Sequence, residues 1–181
     1  MSQKKLYNDY KARITTISKN LGIDLSRFPN LNLSLFMEET ELLPIGQDIY
    51  GRNQYLRNDC AKSWHSLIKF ARDNGINILL ISGFRSVEYQ KSIWEHKLSS
   101  GKSVNQIIYN VTPPGYSEHH TGCAIDIITN GYSPFSKRFE ESDTFRWLCK
   151  NAKLFGLTMT YTKNNYYGIT YEPWHWSFKK T

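Results

Sequence analysis

Apolar residues recur at steps of three and four in three parts of the chain, which predicts three amphipathic helices. The first begins near Leu56 and is expected to end at Gly75. The second follows residues 82–86, and the third has Ser142 as its N-cap and Gly156 at its end. The apolar positions are Cys60, Trp64, Leu67, Ile68 and Ala71 in the first helix, Ile93, Trp94 and Leu98 in the second, and Phe145, Leu148, Cys149, Ala152 and Phe155 in the third.

Shorter apolar runs between these helices predict strands. Residues 76–81 (INILLI) read as a buried strand, and residues 123–128 (CAIDII) are apolar on both alternating faces except at Asp126. Residues 157–162 and 168–178 read as two further strands joined by residues 163–167. Strands and helices do not alternate regularly, so we expect an α+β domain with a central, mainly antiparallel sheet flanked by helices.

The first 55 residues carry the weakest periodic pattern. A polar stretch from Leu6 to Leu21 has helical character, and Leu31, Leu33 and Leu35 alternate with polar residues. The chain of 181 residues contains no repeat and no long linker, and its length suits one domain. We therefore expect residues 1–55 to wrap a core formed by residues 56–181.

Charge and hydropathy narrow the range of partners. The chain has 23 Lys and Arg against 16 Asp and Glu, a net charge of +7, which favours anionic partners such as nucleic acid, a membrane surface or cell-wall peptide. The positive charge is dispersed and no nucleic-acid motif is present, so we expect no nucleic-acid partner. Every apolar run is too short for a transmembrane segment. We expect a monomer that is cytoplasmic, or one whose export leader has been removed, because the N-terminus lacks a leader's apolar core.

Three cysteines, Cys60, Cys123 and Cys149, lie far apart in the sequence. Their odd number and the lack of a C-x-x-C pair are unfavourable for a disulfide framework or a thiolate metal site. We therefore expect buried thiols rather than bridges.

Histidines and carboxylates lie at the predicted junctions of loops and strands. A catalytic zinc ion takes three protein ligands and keeps one open position, and a loop histidine, Asp126 and His175 could supply them. His119 and His120 are adjacent, and in extended backbone only one of them can face the site. The residue types alone leave the choice between them open.

Two further residues suit hydrolysis beside such an ion. Glu172 precedes Pro173, which interrupts a regular strand and permits Glu172 and His175 to face the same side. A carboxylate beside the metal could act as general base for a water molecule. Arg85, at the turn after a buried strand, could supply a fixed cation for a developing oxyanion or a substrate carboxylate.

Taken one at a time, these residues have simpler explanations. A buried Asp is most often a hydrogen-bond acceptor, and a histidine between two tryptophans is most often an interface or core residue. The tryptophans themselves, Trp174 and Trp176, suit a core or a pocket wall. Two histidines, an aspartate, a glutamate and an arginine at the loop–strand junctions of one small domain are costly to bury without a metal. His65 and His96, on predicted helices, are expected to be surface or half-buried residues.

Residues 117–126 (SEHHTGCAID) resemble the S-x-H-x-x-G-x-A-x-D signature of the zinc-dependent D-alanyl-D-alanine carboxypeptidases, the VanY-type group that includes L,D-carboxypeptidases of peptidoglycan. Residues 172–176 (EPWHW) resemble that group's E-x-W-H-W ending. Residues 82–90 (SGFRSVEYQ) resemble its S-G-Y-R-S-x-x-Y-Q turn, with Phe84 in place of the commoner tyrosine. The three motifs occur in the family's order and span about half of the chain.

The resemblance implies a small α+β zinc peptidase that removes the terminal D-alanine from a peptidoglycan stem peptide or muropeptide. It implies one Zn²⁺ ion on His119, Asp126 and His175, with Glu172 as the catalytic base. It also implies that Arg85, Ser117 and Gln90 hold the substrate, and we add Trp174 as a wall of the pocket.

Two alternatives share this fold. One is a peptidoglycan endopeptidase that cuts within the stem, and the other is a non-catalytic module that binds zinc and cell-wall peptide.

Overall fold

The computed structural model describes residues 2–179, which contain helices and short strands in a mixed order. In chain order these are helix α1 (Gln3–Asn20), strands β1 (Leu42–Gln47) and β2 (Asn53–Arg57), helix α2 (Asn58–Asp73), strand β3 (Leu79–Ser82), helices α3 (Val87–Ser99) and α4 (Val104–Ile107), strand β4 (Ala124–Ile128), helix α5 (Asp143–Asn151), and strands β5 (Leu157–Met159) and β6 (His175–Phe178). Short 3₁₀ helices cover Leu25–Arg27, Glu118–Thr121, Lys137–Glu141 and Ala152–Phe155. The expected α+β class is confirmed.

The central sheet has the order β3-β4-β6-β5, and every neighbouring pair is antiparallel. Its register places Asp126 opposite Ser82 on one side and opposite His175 on the other. Directly opposed residues share one face of a sheet, so these three side chains are neighbours. The alternate residues Ile125 and Ile127 belong to the main apolar core instead.

The buried apolar residues form two cores, of which the larger supports the sheet. The larger joins the sheet to α2 and α5, and Leu67 and Leu148 are fully enclosed in it. The smaller joins α1 to α3 through Ile14, Val87 and Trp94. Helices α2, α3 and α5 agree with the helical spacing predicted from the sequence, and Ser142 accepts a hydrogen bond from the Phe145 amide as the expected N-cap. Within residues 2–179, no helix combines the length and hydropathy of a membrane span.

The N-terminal segment contacts both α3 and the loop before β4. Helix α1 contributes Arg13, which pairs with Glu38 and Glu88. Residues 31–41 form no regular element, and their backbone binds other segments: the Phe36 amide donates to the Gly115 carbonyl at 2.8 Å. The hairpin of β1 and β2 was not predicted, and it packs on α2.

The last predicted strand, residues 168–178, is wrong over its first seven residues, because β6 begins only at His175. Pro173 has no amide hydrogen to give to a ladder. The Thr170 amide donates to the Tyr109 carbonyl at 2.8 Å, and the Glu172 amide donates to the Tyr161 carbonyl at 3.0 Å. The segment therefore crosses the end of the sheet as a loop. The predicted strands at 76–81 and 157–162 are likewise shortened to β3 and β5.

The cysteine prediction is also wrong. Cys60 on α2 and Cys123, just before β4, form a disulfide with a Cα–Cα distance of 5.7 Å, and Cys149 is an exposed free thiol. The pairing depends on how α2 packs against the sheet, and a separation of 63 residues in the sequence does not reveal it. Cys149 follows the buried Leu148 on α5, and that position faces solvent.

The disulfide leads to a prediction about stability. A bridge across this many residues restricts the unfolded chain, and removing one from a small domain costs typically about 2–4 kcal/mol. We expect the double variant Cys60→Ala/Cys123→Ala to lose that much free energy of unfolding in urea, with Cys149→Ala as the control that changes little. Unfolded without reductant, the unaltered protein should expose one reactive thiol, and three reactive thiols would contradict the bridge.

Candidate functional site

The eight residues singled out in the sequence all line one cleft of about 890 Å³. They are Arg85, Gln90, Ser117, His119, Asp126, Glu172, Trp174 and His175. Helix α3 lines another part of the cleft with Tyr89, Ile93 and Lys97. Residues that are far apart in the chain thus share one concave surface, which is the usual setting of a small-molecule or peptide site.

His119, Asp126 and His175 form the centre of the cleft. Each offers one ligand atom, and these atoms lie within 4.8 Å of one another. His119 Nε2 is 3.2 Å from one Asp126 oxygen, and His175 Nδ1 is 3.0 Å from the other. All three side chains are buried. Two imidazoles and one carboxylate are a donor set that zinc uses in proteins.

The hydrogen bonds of His119 test whether these three residues fit a metal ion. Its Nδ1 lies 2.6 Å from the Gly83 carbonyl oxygen, so this nitrogen carries the hydrogen and donates it. The tautomer leaves a lone pair on Nε2, and this buried atom has no hydrogen-bond partner among residues 2–179. An unpaired buried acceptor is costly in free energy, and a metal ion at this position would satisfy it. The residues present therefore fit a zinc ion.

His120 occupies a different environment, which decides between the two adjacent histidines. Its Nδ1 lies 2.6 Å from the Arg85 carbonyl oxygen, and its Nε2 accepts the Gly115 amide at 3.0 Å. Both ring nitrogens are therefore used to join backbone segments. Burial lowers the pKa of His120, so the ring stays neutral in this role. Only His119 faces the cleft.

Glu118 contacts the site through His175, and the sequence pattern did not reveal this role. Its carboxylate lies 3.0 Å from His175 Nε2, on the opposite side of the ring from Asp126. Carboxylates commonly hold the second nitrogen of a metal-binding histidine and so fix the ring's orientation. Glu118 lies within residues 117–126, but its sequence position does not reveal which imidazole it would contact.

Tyr161 is the second missed residue. Its ring stacks on His175 at a centroid distance of 4.6 Å, and it lines the cleft. Tyr161 falls within the predicted strand 157–162, where an aromatic residue suggests a core position. The observed strand β5 ends two residues earlier, and the chain then turns Tyr161 towards the site.

The pKa values of the three central residues shift in different directions. Burial by itself raises the pKa of the Asp126 carboxyl, but His119 and Arg85 outweigh this effect. The net result is a pKa well below the usual value, so Asp126 is ionised. Burial lowers the pKa of His119 to about 4, and Arg85 lowers it as well. Burial also lowers the pKa of His175, but its hydrogen bonds to Asp126 and Glu118 outweigh this effect and raise the pKa to about 10.

Glu172 lies in the same cleft without being one of the three clustered ligands. Burial raises the pKa of its carboxyl to about 8. The His175 amide donates to the Glu172 carbonyl at 3.1 Å, so residues 172–175 form a tight turn. This turn, instead of a kinked strand, presents both Glu172 and His175 to the cleft. A carboxyl group whose pKa lies near neutrality suits proton transfer.

Arg85 joins the centre to the turn after β3. Its Nε donates to Ser82 Oγ at 2.8 Å, and its Nη2 donates to Asp126 Oδ2. The Arg85 amide also donates to the His119 carbonyl at 3.2 Å, which ties this turn to the 3₁₀ helix before β4. The guanidinium is therefore held as a fixed cation in the cleft.

The other residues predicted to hold substrate also reach the cleft. Gln90 donates through Nε2 to the Thr112 carbonyl at 2.8 Å, and its Oε1 has no partner among residues 2–179. Ser117 Oγ accepts the His119 amide at 3.3 Å. The Trp174 ring packs edge-to-face on Phe135 at 5.9 Å. Gln90 thus offers a free acceptor, whereas Ser117 caps the short helix that carries His119.

Comparison with known proteins gives a family match over more than half of the chain. The family model VanY, D-alanyl-D-alanine carboxypeptidase, matches residues 53–181. The Bacillus subtilis protein YodJ is 33% identical over 129 residues, covering 68% of this chain and 46% of its own. A D-alanyl-D-alanine carboxypeptidase of Enterococcus faecalis is 30% identical, covering 62% of this chain and 44% of its own. The chain thus spans less than half of the length of these two relatives.

Solved structures resemble the fold. The LdcB LD-carboxypeptidase superposes with a TM-score of 0.69 at 29% identity, covering 78% of this chain and 69% of its own. VanYB in complex with D-alanine-D-alanine gives a TM-score of 0.62 at 28% identity, covering 81% of both chains. A VanY D,D-pentapeptidase variant in complex with Zn(II) gives 0.60 at 27% identity, covering 77% of this chain and 79% of its own.

Proposed function

The chain belongs to the VanY family of D-alanyl-D-alanine carboxypeptidases, and we propose that it is a zinc metallocarboxypeptidase that removes the terminal D-alanine from peptidoglycan stem peptides. The convergence of His119, Asp126 and His175 around the unpaired Nε2 of His119 carries the proposal. The neighbours named for Zn(II), for D-alanine-D-alanine and for LD-carboxypeptidase activity support the metal and the substrate class.

In this proposal His119, Asp126 and His175 hold the zinc ion, and Glu118 orients His175 from behind. Zinc, when bound, supplies a Lewis acid that polarises the scissile carbonyl and makes water more acidic. The buried Asp126 carboxylate offsets part of the ion's charge. Each ligand already lies in place in the sheet or in the turn before it, so little ordering is needed on binding.

Glu172 moves the protons. Its carboxylate takes a proton from the attacking water and later delivers it to the amine of the departing D-alanine. Burial raises the pKa of its carboxyl, which favours protonation, and the positive charge of a bound zinc ion would favour the ionised form that accepts the proton. Enclosure in the cleft also limits exchange of that proton with bulk water.

Arg85 supplies the fixed positive charge that a carboxypeptidase substrate needs. Its guanidinium, held by Ser82 and Asp126, can bind the terminal carboxylate of the peptide or the developing oxyanion. Gln90 offers its free Oε1 to a peptide amide, and Trp174 forms a wall of the pocket. The cleft continues along α3 past Ile93 to Lys97, which gives room for more of a stem peptide than the final dipeptide.

A digestion experiment tests the function. Purified protein is incubated with defined tetrapeptide and pentapeptide muropeptides, with and without a chelator, and the products are identified by mass spectrometry. We expect loss of a single alanine, which the chelator stops and added zinc restores. The choice between pentapeptide and tetrapeptide as substrate distinguishes D,D- from L,D-cleavage.

Other products would contradict the proposal in recognisable ways. Release of larger stem fragments would indicate an endopeptidase of the same fold. Binding of the muropeptide without cleavage by the zinc-loaded protein would indicate a non-catalytic module. Cleavage that is insensitive to the chelator would remove the metal from the mechanism.

A further inference from the structure

The loop between β1 and β2 contains a buried carboxylate, Asp48, whose two oxygens each accept two hydrogen bonds. Asp48 Oδ1 accepts the backbone amides of Tyr50 and Arg52 at 2.8 and 3.0 Å. Asp48 Oδ2 accepts Arg52 Nε at 2.7 Å and Gln54 Nε2 at 2.8 Å. The side chain of Asp48 has no exposed surface. Because Asp48 can only accept, the side-chain amide of Gln54 points its nitrogen towards Asp48 and its oxygen to the opposite side.

The oxygen of Gln54 then holds the turn after β3. Gln54 Oε1 accepts the Gly83 amide at 2.9 Å, and this bond is buried. The next peptide group is bound at both ends: its nitrogen, from Phe84, donates to the Tyr55 carbonyl at 2.9 Å, and its oxygen, from Gly83, accepts His119 Nδ1 at 2.6 Å. Linked hydrogen bonds of this kind polarise and strengthen one another.

Gly83 fits this position because the hairpin backbone comes very close. A Cβ atom built on Gly83 would lie 2.7 Å from the Tyr55 carbonyl oxygen. The backbone of the turn thus contacts the backbone of β2 with no side chain between them. The direction of the Gly83 carbonyl therefore depends on the position of β2. One continuous set of contacts runs from Asp48 through Gln54 and Gly83 to His119.

We infer that the β1–β2 hairpin is a positioning element of the metal centre, in which Asp48 and Gln54 hold the Gly83 carbonyl that fixes the tautomer and ring orientation of His119. The inference rests on the proposed function, since it concerns a ligand of the proposed zinc site. Asp48 lies outside residues 53–181, the part of the chain that matches the family model. Gln54 and Asp48 do not line the cleft themselves. Asp48 also binds Arg52, which does line it, so the test measures metal binding and not cleavage.

The expected consequence is a loss of metal affinity. Groups that hold a metal-binding histidine from behind typically contribute about 10- to 100-fold to metal affinity. Without Gln54 the Gly83 amide loses its partner, and only the hydrogen bond from the Phe84 amide to the Tyr55 carbonyl still holds the turn against β2. The direction of the Gly83 carbonyl is then less fixed, and the His119 hydrogen is less strictly confined to Nδ1. His119 then presents Nε2 to the metal less often and less accurately.

The test uses two variants that interrupt the contacts at different points. Gln54→Met keeps the length of the side chain and removes both of its hydrogen bonds. Asp48→Asn keeps the volume but places a donor opposite Gln54 Nε2, which favours a flipped amide that turns its nitrogen towards Gly83. Asp48→Asn carries the test if Gln54→Met does not fold. Leu56→Ala is the matched control, because it weakens the same strand through a fully buried apolar side chain.

Zinc affinity is measured by competition with a chromogenic chelator, the coordination geometry by the absorption spectrum of the cobalt(II)-loaded protein, and stability by thermal unfolding of the metal-free protein. We expect both polar variants to bind zinc more weakly, by up to the roughly 10- to 100-fold that a direct partner of a ligand contributes, and with an altered cobalt spectrum, whereas Leu56→Ala loses stability and keeps both metal properties. Unchanged affinity and spectrum in the polar variants, or an equal loss in Leu56→Ala, would overturn the inference. Unaltered protein that binds no zinc would instead overturn the proposed function, and the inference with it.

Discussion

Replacement of Glu172 by glutamine is expected to lower kcat by about 10²- to 10⁴-fold, the usual contribution of a general acid–base group. Glutamine has almost the same shape but cannot take a proton from water or return one to the leaving amine. Glu172 is not one of the three clustered ligands, so the variant should bind zinc with nearly unchanged affinity. The two effects together distinguish a proton carrier from a metal ligand.

The measurement combines steady-state cleavage of a defined muropeptide with the zinc content of each preparation. Glu141→Gln is a suitable control, because it makes the same chemical change at an exposed position outside the cleft. It should cleave at the rate of the unaltered protein. If Glu172→Gln also cleaved at that rate, the assignment of Glu172 as the base would be wrong.

Much of the fold was predictable because its helices and central strand have distinct patterns. Helix α5 begins directly after the predicted cap Ser142 and ends at Asn151, and a 3₁₀ helix continues the chain to the predicted stop at Gly156. Strand β4 is apolar on both faces, as a central strand should be, and the isolated charge at Asp126 marks the site within it. These predictions are correct because the apolar residues that form each local pattern are the same residues that the folded protein buries.

The parts that were missed depend on partners distant in sequence. The β1–β2 hairpin has few buried apolar residues, Ile45 and Leu56 among them, so its alternation is weak. The Cys60–Cys123 bridge depends on the packing of α2 against the sheet. Glu118 becomes a partner of His175 only after β6 pairs with β4. No local pattern records these contacts.

The residue types alone also left the choice between His119 and His120 open, and the hydrogen bonds explain why. Both side chains are buried and both bind a backbone carbonyl through Nδ1. They differ only at Nε2, which accepts the Gly115 amide in His120 and has no partner among residues 2–179 in His119. The direction of each ring is therefore a property of the folded turn.

Replacement of each of these adjacent histidines by alanine should therefore give opposite results. His119→Ala removes a proposed zinc ligand, so we expect zinc affinity to fall by more than the roughly 10- to 100-fold typical of outer partners, with cleavage lost. The metal-free protein should keep most of its stability, because among residues 2–179 the ring makes only one hydrogen bond to the backbone, at Gly83.

His120→Ala should leave the three proposed ligands in place but weaken the fold. It deprives the Gly115 amide and the Arg85 carbonyl of their partners, and two unpaired buried groups cost about 2–6 kcal/mol of unfolding free energy. Zinc titration and urea unfolding of both variants make the comparison. Loss of zinc in His120→Ala with retention in His119→Ala would reverse the assignment of the ligand, because neighbouring side chains in this turn face different segments of the protein.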